Sequence, residues 1–205
     1  YHEFLSNFGS YLDIDKPSLF SNISYFINFQ LSKMYFRYFM WNFSGRQNDK
    51  QWKYDLENGN WISGINIIDE YRLGPQKNLP LDVINNKARN QYYLIPFILG
   101  IIGLIFIFRK NLKVFWPIFL LFIFTGIALK FYLNERVFEP RERDYALVGS
   151  FYTYCIFIGF SFIAISEYLS KYLKNNFSFL LAIVITITSP SVSYTHLRAH
   201  ETWSY

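Results

Sequence analysis

The segment EPRERD, residues 139–144, combines two arginines with three carboxylates immediately before an apolar stretch of the chain. A guanidinium group can hold two phosphate oxygens at once, and a carboxylate can orient it or accept a proton from a hydroxyl. Arg141 and Arg143 are therefore candidates for binding the phosphate or pyrophosphate of a lipid-linked molecule, with Glu142 and Asp144 as supporting groups. A simpler role remains open, in which these charges pair with each other or with lipid head groups at a membrane surface.

A second group of candidates lies in the segment WNFSGRQND, residues 41–49. An aromatic ring with amide and charged neighbours suits a sugar, because apolar C–H faces stack on the ring while hydroxyls are hydrogen-bonded. The sugar or acceptor candidates are Trp41, Arg46, Gln47, Asn48 and Asp49. A packed loop with caps and salt bridges explains the same residues equally well. Weaker candidates follow at Asn60, Trp61, Asp69 and Arg72.

Residues that could bind a metal are confined to the C-terminal tail, where His196 and His200 have the i, i+4 spacing of two ligands on one helix face. Within that tail, the string VSYTHLRAHET resembles a translated sequencing-adapter read-through. We therefore expect residues 191–205 to be an artefact, and we predict no metal site and no cofactor. Cys155 is the only cysteine, so the chain has no internal disulfide.

The apolar residues that must position these groups are concentrated after Tyr92. The sequence is 52% hydrophobic and 22% aromatic, an aromatic share well above that of ordinary soluble domains. Apolar blocks of this length predict a polytopic, all-α membrane protein with four spans. The expected spans are residues 92–108, 114–133, 145–169 and 177–189, within a membrane region of residues 92–190.

Residues 1–91 are more polar and predict an extracytoplasmic and interfacial region of helices and loops. Residues 19–43 predict one or two aromatic, basic helices, either at the membrane interface or buried against other helices. Residues 44–80 contain several glycines and prolines, which predict loops and short elements.

The charges between the apolar blocks predict the orientation in the membrane. The connector RKNLK, residues 109–113, is basic without any acid, and Lys171 and Lys174 follow the third block. By the positive-inside rule, both connectors face the cytoplasm, and the N-terminal region and residues 134–144 face the opposite side. The net charge of +5 is modest and forms no basic stripe, so the sequence does not predict nucleic-acid binding.

Several long segments together resemble one protein family. They are YFRYFMWNFSGRQND (35–49), GNWISGINIIDEYRLG (59–74), ARNQYYLIPFILGIIGL (88–104) and EPRERDYALVGSFY (139–152). They resemble large bacterial multi-pass membrane proteins of unknown function that are related to the animal protein O-mannosyltransferases. The resemblance covers about residues 20–185.

The resemblance implies a glycosyltransferase of the GT-C class in the bacterial inner membrane. Such an enzyme takes a sugar from a polyprenyl-phosphate donor, its co-substrate, and transfers it to a protein or glycan hydroxyl on the extracytoplasmic side. The catalytic base of this class is usually an Asp or Glu in the first outer loop. We expect this chain to begin after that loop, so that the base lies outside the fragment and the fragment alone is inactive.

Two other functions fit the sequence. A transporter or flippase of lipid-linked substrates would need polar or interrupted segments near the middle of the membrane, and the first apolar block has none. A non-catalytic membrane assembly subunit would tolerate the loss of Arg141 and Arg143 better than an enzyme would.

Overall fold

The computed structural model describes residues 17–77, 79–135, 144–174 and 176–186, with only the backbone of Asp144. This part of the chain is mostly helical. The helices are α1 (Leu19–Tyr25), α2 (Arg37–Phe43), α3 (Asn66–Leu73), α4 (Leu81–Ile84), α5 (Ile95–Lys110), α6 (Leu112–Ile123), α7 (Leu129–Leu133), α8 (Asp144–Leu169) and α9 (Asn176–Thr186).

A short antiparallel pair of strands interrupts the expected all-α architecture. Strand β1 (Gly45–Arg46) pairs with β2 (Asn90–Gln91) in the loop region before α5. Two-residue strands are too short to show the alternating pattern that identifies a strand in a sequence. The prediction of an all-α fold therefore becomes a mostly helical fold with one small strand pair.

The predicted helix over residues 19–43 is confirmed as a continuous helical segment, with a π-helical middle at Phe26–Phe36. The side chain of Ser18 caps its start by accepting a hydrogen bond from the backbone N–H of Ser21. No residue of α1 is buried, whereas six of the seven residues of α2 are buried. Burial against other helices thus accounts for the aromatic residues around all sides of α2.

The core forms where α2 packs on the parallel pair α5 and α8. A Cβ on Gly103 would lie 1.7 Å from the carbonyl oxygen of Phe157, so glycine permits the close approach of these two helices. Tyr154 donates a hydrogen bond to the carbonyl oxygen of Phe97 (2.6 Å). The ring of Tyr154 also meets Phe39 of α2 edge to face, with 4.6 Å between the centroids. These contacts hold α2 and the start of α5 against α8.

Two helices are long and apolar enough to cross a membrane, so the prediction of four spans is wrong for the part of the chain described. The segment Leu112–Leu133 has 22 residues and includes α6, a π-helical turn at Phe124–Ala128 and α7. The segment Tyr145–Leu169 has 25 residues and belongs to α8. At 1.5 Å per residue, each exceeds the roughly 30 Å of a hydrocarbon core.

The helices of the other two predicted spans are shorter. Helix α5 has 16 residues, about 24 Å, and α9 is described only over Asn176–Thr186. Helix α5 starts late because Leu94, with φ 60°, adopts a left-handed conformation immediately before Ile95. The side chain of Asn111 then caps α6, which ends α5 at Lys110.

Candidate functional site

Arg46 is held in place by the pairing of β1 with β2. The backbone N–H of Arg46 donates to Oδ1 of Asn90 (3.0 Å). The preceding residue, Gly45, has φ 153°, and a Cβ there would lie 2.6 Å from the carbonyl oxygen of Asn90. Glycine therefore lets β1 approach β2 closely enough for the Asn90 side chain to reach Arg46.

The side chain of Arg46 lies on the indole ring of Trp41, with 4.4 Å between Cζ and the ring centroid. Its Nη2 donates to Oδ1 of Asn42 (3.0 Å), whereas its Nε is buried and has no acceptor among the described residues. Burial lowers the pKa of Arg46, and the nearby Tyr92 acts in the opposite direction. In the described ranges, no carboxylate forms an ion pair with Arg46.

Two neighbours of Arg46 also have buried donors without acceptors in the described part of the chain. These are Nε1 of Trp41, a residue with 8% of its surface exposed, and Nδ2 of Asn90, which is 6% exposed. Since buried donors in proteins are normally paired, such a concentration around one guanidinium group points to a binding site. We call Trp41, Arg46 and Asn90 the donor cluster.

Gln47 and Asn48 are buried, but their side chains bond to the following loop. Nε2 of Gln47 donates to the carbonyl oxygen of Leu56 (2.8 Å), and Oε1 of Gln47 accepts from the N–H of Asn60 (3.2 Å). Nδ2 of Asn48 donates to the carbonyl oxygen of Glu57 (2.8 Å). These two amides therefore hold the loop at residues 55–60 in position.

Asp49 lies apart from the donor cluster at the surface. Its Oδ1 accepts a hydrogen bond from Nδ2 of Asn86 (3.2 Å), and the residue is exposed. Of the five predicted sugar or acceptor residues, the structure thus places only Trp41 and Arg46 in direct contact with each other through their side chains.

A second arginine–tryptophan pair adjoins the first. The guanidinium of Arg72 stacks on Trp61, with 3.5 Å between Cζ and the ring centroid, and its Nη1 donates to the carbonyl oxygen of Trp61 (3.1 Å). Trp61 forms an antiparallel bridge with Arg46, so one backbone contact joins the two pairs. Burial lowers the pKa of Arg72 to about 10, while the charge of Asp69 acts in the opposite direction.

The other two weaker candidates, Asp69 and Asn60, support the local backbone. Oδ1 of Asp69 accepts from the N–H of Ser63 (2.7 Å), and Oδ2 accepts from the N–H of Gly64 (2.8 Å). Nδ2 of Asn60 donates to the carbonyl oxygen of Asp55 (3.0 Å). Both side chains are thus engaged in shaping the turns around Trp61.

The predicted donor-phosphate residues Arg141 and Arg143, together with Glu142, lie outside the described residues. Asp144 begins α8, and its side chain is also outside the description. Their roles stay predictions from the sequence. Within the described ranges, no group of three or more His, Cys, Asp or Glu side chains could hold a metal ion.

Sequence reasoning missed a buried ion pair at the end of α7. Nζ of Lys130 lies 2.8 Å from Oε2 of Glu135, and the two side chains are 1% and 6% exposed. The backbone carbonyl of Glu135 accepts from the hydroxyl of Tyr25 (2.8 Å) and from Nε2 of Gln30 (2.7 Å). The detectable signal was Lys130 itself, a cation within an apolar block.

Comparison of the chain with protein-family models, with curated proteins and with solved structures finds no match. The donor cluster and the helices around it are therefore the features of the molecule that bear on its function.

Proposed function

We propose that this chain is part of a membrane glycosyltransferase of the GT-C class. The enzyme would take a sugar from a polyprenyl-phosphate donor and transfer it to a protein or glycan hydroxyl outside the cytoplasm. The observation that carries the proposal is the donor cluster, since its unpaired N–H groups suit an oxygen-rich ligand such as a sugar phosphate. The two apolar helices of membrane length support a site at a membrane.

The direction of the helices supports an outward-facing site. Tyr154 contacts Phe97 near the start of α5, and Lys110 at the end of α5 pairs with Glu167 of α8 (2.8 Å), so α5 and α8 run parallel. Because α5 and α8 run parallel, the segment Leu112–Leu133 between them runs in the opposite direction, as it would if it crossed the membrane. Because the basic connector at residues 109–113 is expected in the cytoplasm, the donor cluster and the start of α8 would face outward.

In the proposed reaction, the acceptor oxygen bonds to the anomeric carbon while the bond from that carbon to the phosphate oxygen breaks. The acceptor proton goes to a carboxylate base. Negative charge develops on the departing phosphate, and arginines stabilise it. We assign that role to Arg141 and Arg143, with Glu142 and Asp144 orienting them.

Replacing Arg143 by Ala in the full-length protein tests this assignment. We expect transfer from polyprenyl-phosphate mannose to fall by at least about 100-fold in membranes with equal amounts of protein, a loss typical of one charged transition-state contact. Arg109→Ala is the matched control, because Arg109 is exposed at the other end of α5 and has no ion pair in the described part of the chain. Normal transfer by Arg143→Ala would contradict the assignment.

A second candidate function, a flippase of lipid-linked substrates, is favoured by one specific observation. The membrane-length segment Leu112–Leu133 contains a π-helical turn at Phe124–Ala128 and the buried Lys130, and transporters use such interrupted, polar helices. Vesicles containing the full-length protein distinguish the two functions. A flippase moves a fluorescent lipid-linked sugar between leaflets unchanged, whereas a transferase consumes it only when an acceptor is present.

A further inference from the structure

The charge of Arg46 lacks a counter-charge in the described part of the protein. Arg46 is half-buried, and this burial lowers the pKa of its guanidinium. A desolvated cation without an ion pair is unfavourable, and a bound anion would relieve this penalty. The buried Nε of Arg46 has no acceptor among the described residues and is the N–H that such an anion would pair with.

The donor cluster offers more hydrogen-bond donors than acceptors. Arginine and the indole N–H of tryptophan can only donate. Oδ1 of Asn90, the one side-chain acceptor, already binds the backbone N–H of Arg46 (3.0 Å). A neutral sugar hydroxyl would pair with few of these donors and bring no charge, whereas an anion accepts from each of them and supplies the missing charge.

The ring of Trp41 is also poorly placed to stack on a sugar. Only 8% of the residue is exposed, Arg46 covers the ring at 4.4 Å, and Tyr38 packs against it with 5.4 Å between centroids. Trp41 therefore contributes its N–H rather than a stacking face.

We propose that Trp41 Nε1, Arg46 Nε and Asn90 Nδ2 together bind a phosphoryl group. Tetrahedral phosphate has enough oxygens to accept from all three donors, and guanidinium is the side chain best suited to it. Identifying this group as the phosphate of a lipid-linked sugar donor rests on the proposed function. The anion site itself does not depend on that function.

Asn90→Asp is the sharpest test, because it keeps the acceptor that holds Arg46 and replaces the donor Nδ2 by a negatively charged oxygen. We expect binding of inorganic phosphate to the full-length protein, measured by isothermal titration calorimetry in nanodiscs, to weaken by about 10- to 100-fold. Arg46→Gln should lose as much, and Arg109→Gln, at the opposite end of α5, should bind like the wild type. Circular dichroism and thermal unfolding of each variant show that it is folded.

Polyprenyl phosphate is the second probe and separates the two possible sources of the ligand. If both probes bind and both need Asn90, the site accepts any phosphoryl group. If only polyprenyl phosphate binds and needs Asn90, the site is specific for the lipid-linked form. Failure of both probes to bind, or equal binding by Asn90→Asp and wild type, overturns the proposal.

A transfer assay on the same proteins keeps this proposal separate from the proposed function. If phosphate binding needs Asn90 but the full-length protein has no transfer activity, the anion site is supported and the proposed transferase function is wrong. If transfer survives Asn90→Asp, the transferase function is supported but the donor cluster is not its phosphate site.

Discussion

Lys130 in the helical bundle is buried and Arg46 in the loop region is half-buried, but of the two only Lys130 has a carboxylate partner among the described residues. The Lys130 side chain is 1% exposed and lies 2.8 Å from Glu135. Arg46 has a tryptophan ring, an amide oxygen and unpaired donors around it instead. A paired charge is fixed within the structure, whereas an unpaired one is open to a ligand. The Lys130 pair and its neighbour Gln30 also have buried acceptors without donors among the described residues, Oε1 of Glu135 and Oε1 of Gln30. The missing counter-charge is therefore what distinguishes Arg46 as a candidate anion site.

The largest effect should come from breaking the Lys130 pair. In Lys130→Met, Glu135 remains buried without its partner, and we expect the free energy of unfolding to fall by about 3–5 kcal/mol. Chemical unfolding of the full-length protein in detergent measures this loss. The double variant Lys130→Met, Glu135→Leu is the control and should recover most of it, because no buried charge is left. A loss below about 1 kcal/mol in the single variant would contradict a structural role for the pair.

The smallest effect should come from the exposed pair of Lys110 and Glu167. Nζ of Lys110 also lies 2.8 Å from a carboxylate oxygen, Oε1 of Glu167, but these two side chains are 58% and 49% exposed. Water screens such a pair, so Lys110→Gln should change the free energy of unfolding by no more than about 1 kcal/mol. The same unfolding experiment measures it beside Lys130→Met. An equal loss of the free energy of unfolding in Lys130→Met and Lys110→Gln would show that burial does not decide how much each ion pair stabilises the protein.

Much of the bundle could be predicted from the sequence, because apolar length and helical spacing are local properties. The continuous helical segment over residues 19–43 is one example, and the two membrane-length helices are another. The number of spans could not be predicted in this way. The left-handed Leu94 and the cap at Asn111 set the ends of α5, and neither is visible in an average of hydropathy.

The site was only partly predictable. Trp41 and Arg46 are close in the sequence, and their residue types suggested binding before their contact was known. Asn90 lies 44 positions beyond Arg46 in the sequence and reaches it through the β1–β2 pair. No local sequence pattern predicts that strand pair. Gln47 and Asn48 have similar chemistry, but the carbonyl groups of the following loop take up their amide donors. Residue type thus suggested the chemistry, while tertiary contacts decided which donors stay unpaired.

The most direct test of the central claim is the effect of phosphate on the stability of the full-length protein. At a phosphate concentration about a hundred times the dissociation constant, a single site should stabilise the wild type by about 2.7 kcal/mol. Sodium chloride of equal ionic strength controls for screening. In Asn90→Asp, where phosphate should bind about 10- to 100-fold more weakly, the same phosphate concentration should stabilise by only about 0.4–1.4 kcal/mol beyond chloride. Without phosphate, this variant should be at least as stable as the wild type, because the introduced carboxylate would neutralise Arg46. Equal stabilisation of both proteins, or none of the wild type, would contradict the account.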